Sequence, residues 1–440
     1  MNKLTIKSLP ILGNALDISK GIIPFFSEHF KSSNSFIFKL PMRKIFTTCD
    51  ADVIQHILIS NHKNYRKDYD SNKLKMTLGN GLLTNDGESW FKQRRLAQPA
   101  FYKNRLEGFF DVMNSMTKNE LQEWKTNNKQ SIFIDAEMMQ LTSKIVVETL
   151  LGADVAGQLN PIQKHIYDLQ LYMMNCTRNP IYKTWSKING KRKQFENAVA
   201  SLDKILYHVI NERKKQAAKN DLLSMLMDAR DIDTNEGMSD TQLRDELLTI
   251  YVAGHETSGY AISWAMYNLC KHPEKYKKAK EEVQSIMKDG ELSIENYKQL
   301  TYIKAVIDET LRLYPTAYVL SRESKDAAIV NDTAIPKETV LFLSLYHLHR
   351  HKEYWQQADD FIPERFIGKQ NPLLNTNAYY PFGAGPRMCI GFNFATMEIT
   401  IVLAQLLYHF DFELDTNLEV ILEPLVTLKP KNGIKLNIKQ

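Results

Sequence analysis

Near its C-terminal end the chain reads Phe382-Gly383-Ala384-Gly385-Pro386-Arg387-Met388-Cys389-Ile390-Gly391, delivering one cysteine to the mouth of an apolar helix that begins at about Phe392. The arrangement suits a thiolate that must approach a metal at the centre of a broad, flat ligand. Gly383, Gly385 and Gly391 remove side-chain bulk and tolerate positive φ. The unpaired amides of a helix N-terminus favour a sulfur anion in front of them, and Arg387 adds positive charge two residues upstream. For a cysteine alone the plainer reading would be an inert, buried thiol in a glycine-rich turn.

A second group of reactive residues falls in mid-helix. After Ser239-Asp240, a plausible N-cap, apolar residues recur at helical spacing through Leu243, Leu247, Ile250 and Tyr251, then give way to Ala253-Gly254-His255-Glu256-Thr257-Ser258-Gly259. Glycines, an acid and hydroxyl residues each weaken a helix, yet the apolar pattern resumes at Ile262 and Trp264. The expectation is one helix, locally distorted, in which Glu256 and Thr257 form an acid–alcohol pair able to deliver protons by general acid catalysis. Further on, Glu309-Thr310-Leu311-Arg312 places an acid and an arginine on one helix face, ordinarily a surface ion pair.

Together these strings resemble the cytochrome P-450 superfamily. Phe-x-x-Gly-x-Arg-x-Cys-x-Gly resembles its haem-binding signature, Ala253 to Gly259 its oxygen-activating helix, and Glu309 to Arg312 with Phe361-Ile362-Pro363-Glu364-Arg365-Phe366 its two arginine elements. The resemblance spans nearly the whole chain, from Leu9-Pro10-Ile11-Leu12-Gly13 to Lys431-Asn432-Gly433. It implies a mainly α fold with a small β region, and non-covalent haem b with Cys389 as axial ligand. Phe382 then lies beside the sulfur. The haem propionates are met by Arg94 with Trp90, by Arg322 and Arg387, and by Lys67. Glu309, Arg312 and Arg365 become a buried triad bracing the cysteine loop, and Thr257 and Glu256 handle protons. Ala253, Ala317, Val319 and Leu320 line the substrate pocket, with Arg43 at a carboxylate-binding position. The animal members that attach haem covalently use an acid where this chain has Ala253, so no ester link is expected.

The activity implied is a haem-thiolate monooxygenase that uses O2 and electrons from NAD(P)H to hydroxylate or epoxidise a hydrophobic substrate. Arg387, where many soluble bacterial members have His, shifts the resemblance toward membrane-bound eukaryotic enzymes and reductase-fused fatty-acid hydroxylases. A long-chain fatty acid is the first expectation for the substrate, and a terpenoid, carotenoid or steroid the second. With no flavin domain in its length, the chain is expected to take electrons from a separate ferredoxin or flavodoxin with its reductase. The rival of another class is a non-catalytic haem sensor.

The elements that must position these residues can be read more coarsely. The 440 residues are 43% hydrophobic, with 56 basic and 51 acidic side chains, a net charge of +5 that gives no argument for nucleic acid. Cys49, Cys176, Cys270 and Cys389 show neither disulfide nor zinc spacing. No signal peptide or membrane-spanning run is evident, so a soluble, cytoplasmic monomer without a transmembrane anchor is expected. One domain, 1–440, is expected, its β-rich part drawn from about 1–70, 315–350 and 415–440. Its elements include a hairpin at 36–48 turning at Pro41-Met42-Arg43, and long helices from about Trp90 to Ile210. Polar breaks at 214–220 and 228–240, a strand at 339–343 and a terminal hairpin over 426–439 complete the reading.

Overall fold

The computed structural model describes residues 5–41, 43–68, 71–152, 164–165, 168–169, 171–172, 175–176, 182–217, 219–368 and 377–439. Met42 at the hairpin turn, Ala218 in the first polar break and much of 153–181 in the long helical stretch lie outside these.

Five helices position the site: α1 (Gly87–Ala97), α2 (Ile134–Leu151), α3 (Asp240–Lys271), α4 (Thr301–Leu313) and α5 (Phe392–His409). The main sheet has five strands, β1 (Ser35–Leu40), β2 (Arg43–Thr48), β3 (Tyr65–Arg66), β4 (Val319–Ser324) and β5 (Val340–Ser344), in the spatial order β1-β2-β5-β4-β3. Only β2 and β5 pair in parallel; the other neighbours are antiparallel. The chain therefore returns to its N-terminal hairpin after α4, as the β-rich segments predict.

Apolar residues separate into a large helical core, including Met138, Ile145, Leu247, Ile262, Val306 and Ile401, and a smaller core against the sheet, including Phe46, Leu58 and Leu343. The cysteine loop bridges them. Tyr380 and Ala384 belong to the sheet core, whereas Phe394 and Met397, just past Cys389, belong to the helical one. Anchorage at both ends fixes where the sulfur lies.

The central helix is continuous, and the glycines that suggested a local distortion have a packing role. α3 runs without interruption for 32 residues, capped by Ser239, whose Oγ accepts from the Gln242 amide at 3.2 Å. The glycines serve a close crossing with α2: an added Cβ would lie 3.1 Å from Val146 Cγ2 at Gly254, and 3.1 Å from Met139 Sδ at Gly259. The Thr142 hydroxyl of α2 reaches the His255 carbonyl at 2.8 Å across that crossing. Thr257 and Ser263 satisfy their hydroxyls on the carbonyls four residues back, at 2.7 and 2.6 Å, leaving the helix intact.

The terminal hairpin is corrected. Gly433 does turn the chain, at φ +78, but the arms part. β6 (Leu428–Pro430) pairs with Leu422–Pro424, while β7 (Lys435–Lys439) pairs with Ser131–Phe133 and Asp411–Leu414. Pro430 lies opposite Leu422, and the Lys431 amide still donates to the Ile421 carbonyl at 2.8 Å before the turn.

Glu309 and Arg312 are buried, with Arg365 half-buried beside them. Arg312 meets Glu309 through two bonds of 2.7 and 2.8 Å, and Arg365 Nε reaches Glu309 Oε1 at 3.2 Å. The remaining capacity is filled by the Ile362 amide at 2.8 Å and by the carbonyls of His349, Ala358 and Asp360 at 2.8, 2.6 and 2.9 Å. Arg312 also lies 5.0 Å over the Trp355 ring. His349 passes this rigidity on, since its Nε2 accepts from the Tyr380 amide at 2.9 Å at the start of the cysteine loop. Burial, aided by Arg312 and Arg350, lowers the His349 pKa to about 3 and keeps that nitrogen an acceptor.

Removing one partner leaves charge buried without compensation. Glu309→Ala should therefore cost about 3–5 kcal/mol of stability, read as a fall in the denaturant midpoint with the slope unchanged. A loss below about 1 kcal/mol would show that the triad does not hold this region.

Candidate active site

Cys389 is exposed, yet it sits inside the molecule, on the wall of a cavity of about 330 Å³. The loop that carries it is fixed by two backbone bonds, Gly383 N–H to Tyr380 O at 3.0 Å and Cys389 N–H to Phe382 O at 2.9 Å. Gly383 and Gly385 take φ +70 and +67. Gly385 tolerates no side chain, because a Cβ there would lie 1.9 Å from the Leu58 carbonyl oxygen. Gly391 differs from expectation: its φ is −85, and a Cβ would meet only Cys389 Sγ, at 3.9 Å. It keeps space beside the sulfur and supplies no left-handed turn. Burial raises the Cys389 pKa, opposed by the Gly391 amide at the mouth of α5 and by the charge of Arg94. Phe382 lies on the same wall, edge-on to Phe392 at 4.9 Å.

One edge of the cavity is strongly cationic. Lys67, Arg94, Arg322 and Arg387 all line it. Burial and the neighbouring Arg322 and Arg387 push the Lys67 amine down to about 7, and burial with Arg387 pushes Arg322 down to about 10. The nearby acids are Asp68 and Asp86, the latter paired with Arg387. Even with Lys67 partly neutral, the cations outnumber the Asp68 and Asp86 carboxylates in a desolvated place. Such an excess is costly alone and suits a ligand with two carboxylates.

Trp90 departs from the expected role. Its indole N–H is spent on the Leu82 carbonyl at 3.0 Å, and its ring lies 4.0 Å from the Arg387 guanidinium carbon. It therefore supports Arg387 and donates nothing to the cavity. Arg94 donates to the Met388 carbonyl at 2.8 Å and to Gln98 at 2.9 Å, tying α1 to the residue before the cysteine.

The opposite wall is apolar, with Leu82, Leu83, Val146, Leu222 and Ile250 joined by Ala253 and Thr257 from α3 and by Ala317 and Leu320. Two anticipated pocket residues lie elsewhere. Side chains alternate along a strand, so Leu320 faces the cavity while Val319 packs with Phe25, Phe38 and Ile45 behind the sheet. Arg43 opens β2 opposite Leu40 and is not on the cavity wall.

Thr257 and Glu256 also face different ways. Thr257 lines the cavity, but the Glu256 carboxylate accepts from the Thr427 hydroxyl at 2.8 Å and is not on that wall. Burial raises its pKa, partly offset by Thr427 and Lys429. Two positioning residues escaped the sequence reading, His349 behind the cysteine loop and Glu246 on α3. The only signal for Glu246 was the run Arg244-Asp245-Glu246 on an otherwise apolar helix.

These residues fit haem b. Cys389 would hold the iron, Gly391 and Phe382 would leave a flat ligand room at the sulfur, and the cationic edge would take the propionates. Among the described residues no cluster of His, Cys, Asp and Glu could hold a separate metal ion.

Comparison with known proteins agrees. The family model for Cytochrome P450 matches residues 5–438. Cytochrome P450 97B2, chloroplastic, of Glycine max is 29% identical over 99% of this chain and 86% of that protein. A cytokinin hydroxylase of Arabidopsis thaliana is 31% identical, covering 82% of this chain and 72% of its own. The bifunctional cytochrome P450/NADPH--P450 reductase 2 of Bacillus subtilis is 29% identical over 88% of this chain and 38% of that protein. With a cysteine ligand on its loop, a fitting cavity and a family match from end to end, the chain belongs to the cytochrome P450 family of haem-thiolate monooxygenases.

Proposed function

We propose that this enzyme hydroxylates a neutral, apolar, isoprenoid-like molecule, with electrons from NAD(P)H arriving through a separate ferredoxin or flavodoxin and its reductase. The observation that supports the substrate reading is a cavity lining that, away from the cations, is mainly apolar with neutral hydroxyls at Thr149, Thr249, Thr257, Ser258 and Thr316, while its described cations gather at the edge suited to propionates. Arg43, the residue that had pointed to a fatty-acid carboxylate, stands off that wall. A long-chain fatty acid is the second reading, supported by Arg387 at the position that favours the fatty-acid-hydroxylase type. The name of the Bacillus subtilis relative joins a P450 to an NADPH-dependent reductase, which supports the electron source. No described helix is long and apolar enough to cross a membrane.

Haem held through the Cys389 thiolate would supply the chemistry of O2 activation and oxygen insertion into a C–H bond. The chain's own residues do the rest. The aliphatic wall excludes water and orients the substrate. Thr257 Oγ1 donates to the Ala253 carbonyl at 2.7 Å, so its lone pairs face the cavity and can receive a proton-bearing water. Glu256, biased by burial toward its protonated form, is the store that resupplies this position from the Thr427 side.

With NADPH and a ferredoxin or flavodoxin system, Thr257→Ala should still consume NADPH but yield about tenfold less product per NADPH, with released hydrogen peroxide taking its place. Unchanged coupling would remove Thr257 from proton delivery. Spin-state titrations decide between the substrates. Farnesol should give the low- to high-spin shift more tightly than hexadecanoic acid, and tighter binding of the acid would establish the fatty-acid reading instead.

A further inference from the structure

The loop of residues 79–86, between the Ser71–Leu78 helix and α1, is pressed onto the first turns of α3. An added Cβ would lie 2.1 Å from Asp245 Oδ1 at Gly79 and 2.0 Å from Thr249 Oγ1 at Gly81, and Gly79 also takes φ +59. No side chain fits between loop and helix at either position.

The contact is made by carboxylates. The Asn80 amide donates to Asp245 Oδ2 at 2.7 Å and the Leu82 amide to Glu246 Oε2 at 3.1 Å. The Gln93 side-chain amide bonds Glu246 Oε1 and also the Asn80 carbonyl at 2.8 Å. Glu246 is fully buried, and the groups acting on it are these two neutral donors and the like charge of Asp245. Burial pushes its pKa up to about 8, opposed by the Leu82 and Gln93 donors. The proposed chemistry makes no use of it.

What Glu246 holds reaches the site in two directions. Leu82 and Leu83 form part of the apolar cavity wall. The Leu82 carbonyl accepts the Trp90 indole N–H, and the Trp90 ring supports Arg387. Gln93 Oε1 accepts from Asn85 Nδ2 at 2.8 Å, and the Asn85 carbonyl and Asp86 carboxylate accept from Arg387. We propose that Glu246 is a positioning residue: through the Leu82 amide it sets the breadth of the substrate cavity, and through Gln93 and Trp90 it holds Arg387 at the haem edge. One buried carboxyl thereby ties the substrate wall to the loop that carries Cys389.

The test uses two ligands of the haem iron and so rests on the haem reading. Imidazole touches little beyond the iron, whereas clotrimazole must also fill the cavity. Glu246→Ala strands the buried Leu82 amide. It should weaken clotrimazole binding to the holoenzyme by about tenfold or more, leave imidazole within about twofold, and speed amide hydrogen exchange over residues 79–86. Glu246→Gln, which keeps an acceptor for that amide, should restore all three. Gly81→Ala, which pushes the same loop off from the opposite side, should reproduce the selective loss, and it decides the matter should Glu246→Ala not fold. Equal weakening of both ligands, or unchanged clotrimazole binding and exchange, would overturn the proposal. If the wild-type protein gives no Soret shift with imidazole, it is the haem reading that fails, and exchange over 79–86 then decides the role of Glu246 in the loop.

Discussion

Positive charge concentrated beside an apolar cavity is the constraint on which the rest of the structure depends. Lys67, Arg94, Arg322 and Arg387 are brought to one edge with Asp68 and Asp86 as the nearby acids among the described residues, and burial beside Arg322 and Arg387 lowers the Lys67 pKa. Buried charges of one sign are tolerated where a ligand of opposite sign completes the set. The two carboxylates of haem would do this, and a dianion at that edge would draw the Lys67 proton back.

Charge alone would not place the iron. The sulfur is located because its loop is pinned at one end to the sheet core through Tyr380 and Ala384 and at the other to the helical core through Phe394. Behind it, Glu309 and Arg312 are fully hydrogen-bonded with Arg365 beside them, and His349 transmits that rigidity to Tyr380. In front, Arg94 and Arg387 tie the loop to α1 and to residues 85–86. A site fixed from three sides can present an unhindered thiol to a large rigid ligand with little reorganisation on binding.

Much of this site was legible in the sequence, because the residues that carry the chemistry sit in short strings whose spacing is itself the constraint. Cys389 with its glycines, Glu309 with Arg312, and the arginines at 94, 322 and 387 all stand where the resemblance implied. The misreadings share a physical cause, since each depended on what a residue packs against. Gly254 and Gly259 suggested a distortion of α3, and their close packing against Val146 and Met139 of α2 could not be read from spacing. Val319 and Leu320 differ only in which face of β4 they occupy. The Trp90 N–H was open to any acceptor until the fold placed Leu82 beside it. Glu246 looked like one charged residue among three, and only the approach of a loop 164 residues earlier in the chain gives it a task.

The central claim, that the cationic edge exists to take two carboxylates, is tested most directly by reconstitution. Apoprotein would be titrated with haemin and with haemin dimethyl ester, in which both propionates are blocked. The account predicts that the ester binds about a hundredfold more weakly or worse. It also predicts that both products, reduced under CO, still show the thiolate-dependent band at about 450 nm. Equal affinity for the two would contradict it, because the excess charge at Lys67, Arg94, Arg322 and Arg387 would then have no part in holding the cofactor.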